Sequence, residues 1–234
     1  MVQPFIRNHQ LNYIKKQTFN MLNGCQTVSD PNIIETVGYN AEARILALFP
    51  EASDDQKAIL EGISAYRREE EFQNYVHNCE SYVKEFPRIT DKQIKKLFPK
   101  TKKLRVPDLS SIDFRYMTYL SWIDIATKKM FLIYPINGNT IGIEGRYTPL
   151  NKKSTCFLCN GHGKVAFFSA VSKSRPANAS PDYYKAVGNY ICLDSHVCNM
   201  RISDVAPLEH FILNIVGWTG TVGLEEAQTI QRSK

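Results

Sequence analysis

Four cysteines constrain this chain more than any other feature. Cys156 and Cys159 stand in TCFLCN, and Cys192 and Cys198 follow in YICLDSHVCN, just ahead of a helical pattern. A two-residue gap is zinc-knuckle spacing, and a second pair leading into a helix fits a treble clef, where a knuckle and a helix N-terminus share one metal. Four thiolates close a tetrahedron around Zn²⁺ and leave no position open, which describes a structural site and not a catalytic one. Two disulfides are the competing reading, and they need an oxidising compartment. The N-terminus MVQPFIRNHQLNYIKKQ has neither the apolar core nor the small-residue cleavage site of a signal peptide. No run approaches the roughly twenty apolar residues that span a bilayer. The expectation is a cytoplasmic protein with one structural zinc. Cys25 and Cys79 lie alone in helical patterns and read as core or partly buried thiols.

His162 and His196 sit inside the two cysteine loops and compete for a ligand role, which would make the site Cys₃His. A catalytic zinc needs three protein ligands, a water and a carboxylate base. Asp194 is the acid within the loops, and in its short turn it reads as a cap for the backbone that follows. No catalytic residue is therefore assigned, and the chain reads as a binding protein, not an enzyme.

The net charge of +6 matters less than its distribution. Residues 1–109 carry 16 basic and 14 acidic groups, whereas 150–201 carry seven Lys/Arg against Asp182 and Asp194. A four-thiolate zinc centre is formally −2, so part of that excess neutralises the metal site, and the rest suits an acidic protein or RNA. A second concentration runs from Lys92 to Arg105, with seven basic residues and no acid. It reads either as a solvated linker or as a ridge that speeds association with acidic surfaces.

The N-terminal half has helical periodicity. A first helix spans 4–24, with Gly24 as its stop. Asp30-Pro31 caps a second, over 31–49. Ser53-Asp54-Asp55-Gln56 is a capping box opening one long helix to Phe86, and Thr90 to Gln93 caps a short fourth helix. Period-two segments follow at 119–125, 130–135 and 140–147, with a hairpin turn at Asn137-Gly138. Further strands run from Lys164 to Val171 and through Tyr190-Ile191, and Ser203-Asp204 begins a last helix. The fold class is thus α+β: an N-terminal four-helix bundle, then a mixed α/β domain with a treble-clef-like four-cysteine zinc site. The boundaries fall at 1–105 and 110–216, with a tail at 217–234.

These elements together, with SWIDIA, CFLCN and YICLDSHVCN, resemble the FusB-type elongation factor G-binding proteins, known for fusidic acid resistance in Gram-positive bacteria. The resemblance covers roughly residues 5–216. Thr155 departs from it, standing where a bulky aromatic residue is expected. The resemblance implies a monomer that binds elongation factor G, meets the ribosome only through that factor, and releases the factor from complexes stalled by fusidic acid. It also implies contact through the zinc domain, with Cys156, Cys159, Cys192 and Cys198 on the metal and Tyr190 at an aromatic position of the binding face. Lys185 and Phe157 join Tyr190 on grounds of charge and exposure. Neither DNA nor membrane is expected as a partner. A general RNA- or ribosome-binding zinc module is the alternative; a surface adhesin is the third, opposed by the metal-type cysteines.

Overall fold

The structure, a computed structural model, describes residues 2–136, 138–174, 178–180 and 182–217. Helices α1 (Asn8–Thr27), α2 (Pro31–Leu46), α3 (Asp54–Leu60) and α4 (Glu69–Glu80) pack around one core that includes Leu11, Ile14, Ile45, Leu60, Ile63 and Phe72. Local sequence sets their starts. The Asp30 side chain accepts from Asn32 N at 2.9 Å with Pro31 at the first helical position, and Ser53 and Gln56 cap α3 reciprocally.

Several boundaries differ from the sequence reading, with α1 starting at Asn8, α2 ending at Leu46 and the last helix starting at Ala206, and two departures have an identifiable cause. Helix α1 runs through Gly24 to Thr27, because the backbone ladder continues (Val28 N donates to Gly24 O at 2.9 Å). An interior glycine costs only about 1 kcal/mol, which does not stop a packed helix. The long helix expected from 53 to 86 is two helices. Gly62 adopts φ +98°, a left-handed conformation, and a 3₁₀ turn intervenes. Glu42 of α2 stabilises the break: one of its oxygens accepts from Gly62 N (2.9 Å), Ser64 N (3.2 Å) and Ser64 Oγ (2.9 Å).

Helix α5 (Asp91–Leu97) begins at the expected Thr90–Gln93 capping box, but it leaves the bundle and packs on the sheet. That antiparallel sheet has the order β1 (Leu120–Asp124), β2 (Lys129–Ile136), β3 (Asn139–Pro149), β6 (Val165–Val171), β7 (Ala186–Cys192). A small hairpin, β4 (Ser154–Thr155) and β5 (His162–Gly163), is inserted between β3 and β6. Strand β2 reads MFLIYPI without alternation because both its faces are covered. Phe131 and Ile133 meet Ile94 and Phe98 on the α5 side, while Met130, Leu132 and Tyr134 join the core beneath α7 (Ala206–Val216). Gly142 on β3 admits the close approach of α5, since a Cβ there would lie 2.8 Å from Phe98 Cζ. Ile136 pairs with Asn139 across the expected hairpin and Gly138 has φ +74°; Asn137 lies outside the described residues. Helix α7 ends at Gly217 (φ +71°), and the tail assigned beyond it lies outside the described residues too.

The halves share a buried polar seam. Asn8 Nδ2 donates to Thr118 Oγ1 (2.9 Å) and Asn199 O (2.8 Å), and Asn12 Nδ2 donates to Asn199 O (2.7 Å) and Ile202 O (2.9 Å). Asn199 in turn accepts at Oδ1 from Thr118 N (2.7 Å) and Tyr119 N (3.1 Å) and donates to Tyr119 O (2.9 Å). All three asparagines are buried, so these bonds are made in a low-dielectric setting where an unmade bond is costly.

Candidate metal centre

Three local devices bring the four cysteines together. The β4–β5 hairpin carries Cys156 and Cys159 in its loop, closed by Cys156 N to Gly161 O and Asn160 N to Cys156 O, both 2.9 Å. Asn160 takes φ +53°, which asparagine tolerates better than most residues. Space at Gly161 is tight, since a Cβ would lie 3.0 Å from the Arg201 side chain and 3.3 Å from Cys159 Sγ. Cys192 ends β7. Cys198 lies in α6 (Ser195–Asn199), a five-residue helix whose start is fixed by Asp194. The Asp194 carboxylate accepts from His196 N (2.9 Å) and Val197 N (3.3 Å), the capping role its position in the turn suggests.

The four sulfurs all lie within 4.8 Å of one another, with Cys156–Cys198 and Cys159–Cys192 each 3.8 Å apart. A regular tetrahedron with Zn–S of about 2.3 Å separates its sulfurs by about 3.8 Å, so this donor set fits Zn²⁺. Cys156, Cys192 and Cys198 are buried and Cys159 is partly so. His162 and His196 are both exposed and stand outside the sulfur cluster.

The thiols ionise as one group, because each sulfur is hydrogen-bonded to the others. Cys156 is held far below the ordinary thiol range by hydrogen bonds from Cys159, Cys192 and Cys198, while Cys192 and Cys198 are pushed far above it, chiefly by their bonds to Cys156. Protons on the latter two are what a metal would displace, since it binds thiolates. The surroundings include residues that periodicity did not single out. Tyr119 is fully buried and hydrogen-bonds to Cys198; burial first, and the sulfurs second, push its hydroxyl well above the usual range. Arg201 reaches over the hairpin to donate to His162 O at 3.2 Å, placing a guanidinium beside Cys159. Ser195 Oγ donates to Ser121 O at 2.9 Å and ties α6 to β1. No local signal marks them, because each acts across the fold.

Outside the cluster, Tyr190 and Phe157 are adjacent: Phe157 N donates to Tyr190 O at 2.7 Å. Tyr190 packs edge-on to Phe167 on β6 (centroids 5.4 Å apart), opposite it in the strand register. Tyr190, Phe157 and Phe167 are all about two-fifths exposed, at 42%, 38% and 41%. Gly188 makes room, because a Cβ there would meet Phe167 Cζ at 2.7 Å. The register puts this pair on the sheet face that α5 covers over the other strands, and α5 stops short of it. Lys185 is exposed just before β7 and is held by its main chain, with Ser172 N donating to its carbonyl at 2.7 Å. A cleft of about 550 Å³ opens beside the knuckle, lined in part by Lys16, Phe157, Asn160, Asn189 and Asp204.

The family model for the N-terminal domain of elongation factor G-binding protein matches residues 5–87, and that for the FBP C-terminal treble-clef zinc-finger matches residues 95–210. Among solved structures the chain is similar to one described as the structure of the fusidic acid resistance protein FusC. The TM-score is 0.76 at 24% identity, over 91% of this chain and 98% of that one. Among curated proteins, none matches. The treble-clef match and the four clustered cysteines together mark a zinc-binding domain.

Proposed function

The chain belongs to the FusB-type family of elongation factor G-binding proteins, and from that premise we propose that it binds elongation factor G and promotes its release from ribosomes on which fusidic acid has stalled it. The observation that carries this reading is the match of both halves, in order, to the family's two domains. A binding protein accelerates release only through differential affinity: it must hold the free or departing factor more tightly than the locked one. Each tenfold preference contributes about 1.4 kcal/mol towards release.

One zinc, held by Cys156, Cys159, Cys192 and Cys198, would serve as scaffold and take no part in chemistry. The factor then meets Tyr190 and Phe157, with Lys185 supplying charge at the strand entry. The exposed Tyr190–Phe167 pair supports the placement at Tyr190, since half-exposed aromatic side chains on fixed strands are what interface anchors look like before they are covered, while the Phe157 ring packs on Phe211. The protein would act as a monomer in the cytoplasm and would reach the ribosome through the factor. The division into 1–105, 110–216 and the tail belongs to this proposal, and the seat of α5 on the sheet favours a boundary ahead of residue 91.

Calorimetric titration of the purified chain into elongation factor G, with zinc measured on the same sample, tests the proposal. Heat at micromolar concentrations with one zinc bound is expected, and Tyr190→Ala should weaken binding at least tenfold while retaining zinc. A zinc-loaded protein giving no heat would overturn it.

A further inference from the structure

The run from Lys92 to Arg105 is, in the fold, a fixed cationic face. Lys92, Lys95 and Lys96 project from α5, and four more cations follow between residues 100 and 105; all seven are exposed. Among the described residues none of them is in an ion pair. Glu144, which packs against the segment through Thr101, is already paired to Lys129 at 2.9 Å. The backbone beneath the charges is anchored. Ile94 and Phe98 are buried against Leu120, Phe131 and Ile133, Leu104 and Val106 pack on the same cluster, and Trp122 Nε1 donates to Arg105 O at 2.8 Å. Lys92 and Lys96 stand four residues apart on one helical face, an arrangement that destabilises a helix. Lys95 and Lys96 lie in the last turn of α5, where the helix dipole favours cations, but the other five lie outside that turn.

We propose that this face holds the phosphate backbone of RNA. Two observations choose RNA over an acidic protein. Six of the seven cations are lysine, a residue depleted from protein interfaces, where aromatic side chains and arginine dominate. Within the segment itself, residues 92–105, no large apolar side chain is exposed; the nearest one along the chain is Ile125. A lysine face without anchors gains its affinity by displacing counterions from a polyanion, and such binding carries no base specificity. The face is separate from the cysteine cluster, so the proposal stands whether or not the chain binds elongation factor G.

Fluorescence anisotropy on the full chain tests it, using a labelled single-stranded RNA of about 20 nucleotides in salt from about 50 to about 200 mM. Micromolar binding that weakens steeply with salt is expected. The combined variant Lys92→Gln, Lys95→Gln, Lys96→Gln should bind at least tenfold more weakly at the lowest salt. Its logarithmic salt slope should shrink by about 2, near 0.7 for each phosphate that is no longer neutralised. These positions are exposed, so its circular dichroism and zinc content should equal those of the parent. Four results would each overturn the proposal. The first is a parent that does not bind RNA at the lowest salt, and the second is a triple variant that retains the parent's affinity and slope. Equally tight binding of polyglutamate of the same charge would assign the face to an acidic protein. Loss of elongation factor G binding in the triple variant with RNA binding intact would assign it to that factor.

Discussion

His9 is half-buried on α1, and its imidazole is lowered to about pKa 4, first by burial, then by the neighbouring Arg7, with Asp204 opposing. An unfolded histidine titrates near 6.5, so between pH 6.5 and 4 the unfolded chain takes up the proton that the folded chain refuses. The stability His9 contributes is therefore complete above about pH 6.5 and is lost on acidification towards pH 4, by at most about 3 kcal/mol. Denaturant titrations at both ends of that window check this: His9→Gln should lose less stability on acidification than the parent. Equal losses would show that His9 is not the group responsible. At this scale, legibility in the sequence follows the distance between partners. The Asp194 cap acts within three residues, and each cysteine pair shows its own short spacing although the two pairs meet across 33 and 42 residues, so spacing reveals them. His9, Tyr119, Arg201 and the asparagines of the seam do not stand out, because the groups that give them meaning are far along the chain.

The break between α3 and α4 shows the same limit among elements. Leu60, Ile63, Phe72, Tyr75 and Cys79 all face one core, so the apolar stripe continues across a helix that does not. Gly62 is a visible hint, but its partner Glu42 sits on another helix and cannot be read locally. Likewise the Thr90 and Gln93 cap marks the start of α5, yet the helix's apolar face does not say whether helices or a sheet will cover it. Strand β2 is easier, since an unbroken apolar run of that length implies two covered faces. Glu42→Ala removes a carboxylate that three donors share, leaving Gly62 N, Ser64 N and Ser64 Oγ to water or to nothing. The expected loss is about 2–3 kcal/mol, measured by urea unfolding. Glu42→Gln should recover part of it, because the amide oxygen still accepts. A loss below about 0.5 kcal/mol in the alanine variant would mean that the break persists without the carboxylate.

Across the whole molecule, the cysteine cluster and the helical half are mechanically connected. Cys198 and Asn199 are adjacent in α6, and Asn199 is the hub through which Asn8 and Asn12 of α1 reach the C-terminal half. A metal that fixes α6 therefore also fixes the seat of the first turns of α1. If zinc binding energy is largely folding energy of this domain, losing the metal should be felt across the seam. Cys192→Ser, or chelation of the parent, should release zinc and unfold the C-terminal domain. Hydrogen exchange should then accelerate along α1 from Asn8 to about Leu11, whereas α2 to α4, which share the separate core of Ile45, Leu60 and Phe72, should stay protected. Asn199→Ala tests a different tie, the one between α6 and residues 118–119, because the carbonyl that Asn8 and Asn12 use is kept. The substitution leaves the four sulfurs in place but strips the buried main-chain N–H groups of Thr118 and Tyr119 of their acceptor. The cost should be about 3–5 kcal/mol with zinc content unchanged. Should α1 remain fully protected when zinc is withdrawn, the two halves are stable independently, and the asparagine seam joins them without transmitting the state of the metal site.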